Sequence, residues 1–117
     1  KGYIFQSTGK KYVVQQIMKY MEENYREKIS LEQIAANMYL SSFYIAKIFK
    51  SETGDTPINY LIRLRMEKAK EILEISPEEP IKEVAAAVGY SDAYHFSKLF
   101  KKHYGISPLY YKKDSFS

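Results

Sequence analysis

The sequence predicts an all-α fold of seven helices, arranged as two helix-turn-helix subdomains joined by a long linker helix. Three observations carry this. Phe49-Lys50-Ser51-Glu52-Thr53-Gly54-Asp55-Thr56-Pro57-Ile58-Asn59-Tyr60 is echoed about fifty residues later by Phe100-Lys101-Lys102-His103-Tyr104-Gly105-Ile106-Ser107-Pro108-Leu109-Tyr110-Tyr111, both reading Phe-Lys-x-x-x-Gly-x-(Ser/Thr)-Pro-x-x-Tyr. Apolar residues recur at three- and four-residue steps, the period of a helix with one buried face. Capping and breaking residues punctuate those patterns at matching places in both copies.

Residues 1–9 carry Gly, Ser and Thr without periodicity and read as a linker. Val13, Val14, Ile17, Met21 and Tyr25 then define the apolar face of a first helix. Ser30 and Gln33 make a capping-box pattern that starts a second helix, whose core face is Leu31, Ile34, Ala35 and Met38. Ser41 or Ser42 caps a third helix, burying Ile45, Ile48 and Phe49, with Phe43, Ala46, Lys47 and Lys50 gathered on the other side. This first helix-turn-helix covers about 30–53. Gly54 suits a helix C-terminus, and Thr56-Pro57 supplies an N-cap and a first-turn proline for the linker helix, about 57–75. The pattern Ile58, Leu61, Ile62, Leu64, Arg65, Ala69, Ile72, Leu73 runs until Ser76-Pro77. At about 18 residues this helix is roughly 27 Å long.

The second helix-turn-helix covers about 81–103. Val84, Ala85 and Val88 form its first core face, and Gly89 marks the turn by tolerating positive φ, where the first copy has Tyr39. The next helix buries Phe96, Leu99 and Phe100 and exposes Tyr94, Ser97, Lys98 and Lys101. Ser107-Pro108 opens a last short helix carrying Tyr110 and Tyr111, and 114–117 is a tail.

At 117 residues the chain is one domain or two small subdomains, with 45% hydrophobic content and a formal charge of +4. A pI near 9.1 suits a nucleic-acid binder without requiring one. With no cysteine, a disulfide framework, a zinc finger and a cysteine nucleophile are excluded, and a cytoplasmic setting is expected. No membrane span or signal peptide is visible. The start at Lys1 is read as that of an excised piece, with a sensor or receiver domain expected on its N-terminal side.

The stretch from Ile81 through Val84-Ala85, Gly89-Tyr90, Asp92, Phe96, Lys98, Phe100-Lys101, Gly105 and Ser107-Pro108 resembles the signature of the AraC/XylS family of bacterial transcription regulators. The resemblance covers about residues 10–113, the DNA-binding domain of that family. It implies sequence-specific binding of double-stranded DNA, with two recognition helices entering successive major grooves, and transcription activation through contact with RNA polymerase. Successive grooves are roughly 34 Å apart, so a helical spacer of comparable length lets one chain reach both. One chain with two reading heads is expected to be monomeric. The segment Tyr12 to Tyr25 and its linker resemble the response regulators of the family, which makes a receiver the first choice for the fused domain.

By position the resemblance assigns base contacts to Phe43, Ala46 and Lys47 in the first head, and to Ala93, Tyr94, Ser97 and Lys98 in the second. Lysine can donate to guanine, serine can serve several bases, and an aromatic edge or a methyl can touch thymine's methyl. Candidates for phosphate contact are Lys50, Arg63, Arg65, Lys101 and Lys102, with the amides near Ser41 and Ser91. Besides Lys47 the first head offers few hydrogen-bond donors, so its readout is expected to be the more apolar of the two.

The rival readings are blander. Lysines on a helix commonly make a solvated face, but matched spacing in two copies favours function here. Twelve tyrosines could suggest a stacking platform for single strands. Tyr60, Tyr104 and Tyr111, however, fall at packing positions of the repeat. His95 and His103 lack a ligand set at metal spacing, so neither metal nor cofactor is expected. No nucleophile with its base appears, and an enzyme is not expected. The competing function is a protein-interaction module that contacts RNA polymerase or a partner domain and has little DNA affinity of its own.

Overall fold

The computed structural model describes residues 2–116, with the side chains of 9–112; Lys1, from the expected linker, and Ser117, from the expected tail, lie outside the described residues. Seven helices follow one another, and no strand occurs among the described residues: α1 (Gly2–Asn24), α2 (Leu31–Asn37), α3 (Ser42–Thr53), α4 (Pro57–Ile75), α5 (Ile81–Ala87), α6 (Ala93–Tyr104) and α7 (Pro108–Phe116). Two bounds depart from the sequence reading. Helical backbone begins at Gly2, so α1 takes in positions 2–9, ahead of the start that the apolar pattern marked. Glycine costs a helix interior about 1 kcal/mol without forbidding it. Likewise α7 continues into the expected tail, as far as Phe116.

The chain divides into two compact units. The first comprises the residues up to Asn24 with Ile29–Leu61, and the second comprises Tyr25–Lys28 with the residues from Ile62 onward.

In the first unit, α3 packs against α1 and α2. Val14, Ile17, Met21, Ile34, Ala35, Ile45, Ile48, Phe49 and Leu61 are buried, at helical spacing within each element. Each large side chain so removed from water contributes about 1.5–3 kcal/mol. The Tyr60 ring meets Phe49 edge-on at 5.5 Å, a packing role for this tyrosine. Local chemistry sets the boundaries. Ser30 Oγ accepts from the Gln33 N–H at 3.1 Å, Ser41 Oγ from the Tyr44 N–H at 3.1 Å, and Thr56 Oγ1 from the Asn59 N–H at 3.1 Å. Each satisfies an N–H that the first turn of a helix otherwise leaves open. Gly54, at φ 79, closes α3 in the left-handed conformation that glycine adopts without strain.

In the second unit, α6 packs against α5 and α7. Met66, Ala69, Leu73, Val84, Ala85, Val88, Phe96 and Phe100 form one buried cluster, with Tyr25, Leu99, Tyr104 and Tyr111 packed on its edge. The Tyr104 ring meets Phe100 tilted at 4.8 Å and the Tyr111 ring meets it edge-on at 5.8 Å. Tyr25 follows the last residue of α1. It therefore belongs to the connection into α2 and not to the apolar face of the first helix, where the sequence pattern put it.

Candidate nucleic-acid interface

Each unit holds a short helix, a tight turn and a longer second helix. The two turns are built alike: the N–H groups of Met38, Tyr39 and Leu40 bond to the carbonyls of Ala35, Ala36 and Ala35, and those of Val88, Gly89 and Tyr90 to Ala85, Ala86 and Ala85. Tyr39 at φ 58 and Gly89 at φ 101 occupy the corresponding left-handed position. Beyond it the second turn is one residue longer, and the added residue is Ser91.

The second helices, α3 and α6, present matching outward faces. In α3 the residues Ile45, Ile48 and Phe49 are buried, and Phe43, Lys47 and Lys50 are exposed. In α6, Phe96 and Phe100 are buried with Leu99 at the edge, while Tyr94, Lys98 and Lys101 are exposed. At about 100° per residue, each exposed trio falls within roughly 60° of arc opposite the buried set. Ala46 and Ser97 sit half-buried on corresponding flanks. The Lys98 ammonium lies 5.1 Å over the Tyr94 ring, so an aromatic and a cation share one site on the face. Ala93, expected to face bases, instead packs against the core cluster of the second unit. It lies a turn before Phe96, on the buried side of α6.

The residues expected near phosphates divide into two kinds. Lys50, Arg63, Lys101 and Lys102 are exposed. Arg65 is not: it is 8% exposed, and its guanidinium is committed inside the second unit. Its Nε donates to the Tyr25 carbonyl at 2.9 Å and its Nη2 to the Glu27 carbonyl at 2.8 Å, and it lies 5.1 Å over the Tyr90 ring. Arg65 is a structural clamp rather than an exposed cation. The sequence concealed this because its partners lie about forty positions away in the loop after α1.

The helix starts also differ. Ser41 caps α3 as expected and is exposed. At α6 the cap is Asp92, whose Oδ1 accepts from the N–H groups of Tyr94 at 2.9 Å and His95 at 3.3 Å. A carboxylate thus already occupies the positive end of the helix dipole, where phosphate binding through the amides near Ser91 was expected. The exposed Ser91 hydroxyl, one residue earlier, is what remains available. The aspartate cap was discernible in the sequence as an acid at the first position of the helical pattern.

No group of three or more metal-ligating side chains occurs among the described residues. His95 and His103 meet the rings of Tyr90 and Tyr104 edge-on, at 5.6 and 4.6 Å. No described helix is long and apolar enough to cross a membrane. In the second unit, burial foremost, then the nearby Glu67, Glu74 and Glu71, raises the Tyr104 hydroxyl above its ordinary pKa.

Two turns of the same build, each feeding a helix with an uncovered lysine face, define a two-headed helix-turn-helix domain. Comparison with known proteins agrees. Residues 34–114 match a family model described as a helix-turn-helix domain. The transcriptional regulator YdiP of Escherichia coli K12, of the helix-turn-helix type, is 40% identical over 97% of this chain and 36% of its own length. The C-terminal domain of AraT, a response regulator from Geobacillus stearothermophilus, superimposes with a TM-score of 0.84 at 35% identity, over 87% of this chain and 84% of that one. The DNA-binding domain of the transcriptional factor AdpA, solved with a target DNA, gives 0.81 at 28% identity, over 86% and 90%. The chain belongs to the family of AraC-type helix-turn-helix DNA-binding domains of transcription regulators. Its relatives and its fold are those of regulators rather than enzymes. It spans about a third of the length of the curated relatives it matches.

Proposed function

We propose that the chain binds double-stranded DNA sequence-specifically, with α3 and α6 each reading a major groove and the two grooves successive along the duplex. The observation that carries this is the repeated outward face: Phe43, Lys47 and Lys50 in one helix, Tyr94, Lys98 and Lys101 in the other, all uncovered. Lys47 and Lys98 supply donors for guanine, and Ser97 adds a polar reader to the second head, with Ala46 its apolar counterpart in the first. Lys50, Arg63, Lys101, Lys102, Ser41 and Ser91 hold phosphates, which fixes register and supplies much of the affinity. α4, at 19 residues, serves as the spacer between the heads. AdpA's DNA-binding domain, solved on DNA, supports the DNA reading, and AraT, a response regulator, supports a receiver domain as the fused N-terminal partner. With two reading heads in one chain, these residues bind DNA as a monomer in a cytoplasmic setting, and the regulator activates transcription by contacting RNA polymerase, as the family resemblance implies.

The test is selection of bound duplexes from a random pool at moderate salt, followed by titration of two variants. Two short enriched blocks about one helical turn apart are expected. Lys98→Ala should weaken binding and relax preference in one block. Lys102→Ala should weaken selected and random duplexes alike and lower the salt slope by about one. Equal losses on selected and random DNA for Lys98→Ala would remove Lys98 from the base readers. No enrichment, with feeble binding even at low salt, would turn the assignment towards a protein-interaction module.

A further inference from the structure

Tyr39, in the turn between α2 and α3, occupies a position that neither its backbone nor the core accounts for. The second head fills the corresponding position with Gly89, the residue type that takes positive φ without strain, whereas Tyr39 is held at φ 58 with a full side chain. That side chain is 96% exposed, and its hydroxyl has no hydrogen-bond partner among the described residues. A large ring kept in water at a strained backbone angle stabilises nothing inside the fold, so its use lies outside it. The neighbours narrow the partner. Ser41 and Phe43 follow within four residues, both exposed, at the start of the helix assigned to the groove. A residue in the turn ahead of a groove-entering helix meets the wall of that groove, the sugar–phosphate ridge, before its floor of base edges. Tyrosine fits the ridge chemically: the ring can lie against a deoxyribose while the hydroxyl donates to a phosphate oxygen. The second head has no counterpart, since a β-carbon at position 89 would collide with the Tyr25 carbonyl oxygen.

On that ground, and resting on the DNA-binding assignment above, we infer that Tyr39 is a positioning residue of the first head, anchoring it to the sugar–phosphate chain beside the groove that α3 enters. The two heads then divide the work. The first, with Tyr39 in its turn and Ala46 where the second has Ser97, draws more of its hold from the DNA backbone. The second, with Gly89 and Ser97, draws more from base edges.

The experiment measures binding by fluorescence anisotropy, on the selected duplex and on random duplex, across a salt series. The variants are Tyr39→Gly and Tyr39→Asn, which suit positive φ and lack the ring, and Tyr39→Phe, which lacks only the hydroxyl. The first two should weaken selected and random duplex alike, about two- to tenfold, the range of one neutral hydrogen bond. The salt slope should stay as it is, because a hydroxyl neutralises no phosphate, and Tyr39→Phe should lose less. Tyr39→Gly should melt no lower than the parent, so that weaker binding is not loss of fold. Methylphosphonate replacement of single phosphates then locates the contact: at a phosphate bordering one block, and at none bordering the other, the replacement should harm Tyr39→Gly less than the parent. Parental affinity in both ring-less variants, with a clear selected motif, would overturn this inference and leave sequence-specific binding standing. A loss confined to the selected duplex would make Tyr39 a base reader and overturn it equally, as would a loss that no methylphosphonate reduces. Lower melting temperatures for both Tyr39→Gly and Tyr39→Asn would make the ring part of the fold and overturn it too. Failure to enrich any motif would sink the DNA assignment, and this inference with it.

Discussion

The two helix-turn-helix turns share their hydrogen bonds and differ in one residue, Tyr39 in the first and Gly89 in the second. Both positions demand positive φ. At position 89 a β-carbon would stand 2.8 Å from the Tyr25 carbonyl oxygen and 3.0 Å from the Arg65 guanidinium, so the second turn needs glycine twice over: for its backbone angle and for space. Tyr39 meets the same angular demand with a side chain that is 96% exposed. The difference teaches that the motif fixes the path of the backbone, while the surroundings decide which residue can follow it.

The largest expected effect breaks the comparison at its tightest point. Gly89→Ala should cost more than about 2 kcal/mol in urea unfolding, since strain and collision add. A loss under about 1 kcal/mol would mean that the Arg65 clamp yields easily. Next comes Arg65→Met, which keeps the apolar stem and leaves the carbonyls of Tyr25 and Glu27 without their donor. A loss of about 2–3 kcal/mol is expected, with DNA affinity per folded molecule unchanged. A specific loss of DNA binding without loss of stability would return Arg65 to the phosphate contacts.

Tyr39→Gly should sharpen the contrast by raising stability by up to about 1 kcal/mol, because relief of the left-handed strain slightly outweighs the added freedom of the unfolded chain. A clear loss instead would show that the ring is needed by the fold. The smallest effect concerns Tyr104, in the second unit. Its hydroxyl pKa lies above the ordinary 10.0, with Glu67, Glu71, Glu74 and His103 around it and the Lys70 ammonium 5.5 Å from its ring. The folded state thus holds this proton more tightly than the unfolded chain does. That contribution is present in full below about pH 10 and is lost as pH rises through the folded value. Tyr104→Phe should flatten the decline of the urea midpoint above pH 10; an identical alkaline slope would show that Tyr104 does not cause it.

What was legible in the sequence was local. Ser30, Ser41 and Thr56 act within three residues, Gly54 and Gly89 answer a backbone angle, and the spacing of Ile45, Ile48 and Phe49 fixes which side of α3 is outward. All of these are present in the structure where the sequence placed them. Arg65 was not legible, since an arginine within an apolar helical pattern looks the same whether its head reaches solvent or carbonyls 38 and 40 positions away. Ala93 went astray for a related reason: alanine fits a groove-facing and a core-facing position equally well, and only the packing of α6 decides. Residues 2–9 show the limit of propensity, because glycine and serine weaken a helix without ending it.

The four residues Tyr25–Lys28 interrupt the first unit in sequence and belong to the second. A polypeptide starting at Ile62 would therefore contain the Arg65 side chain but neither of the carbonyls it binds, and the glycine at 89 would border an empty space where Tyr25 had been. The repeated motif invites the idea of two interchangeable cassettes. The path of the chain denies it, because the second cassette has one of its parts encoded upstream, between α1 and α2 of the first.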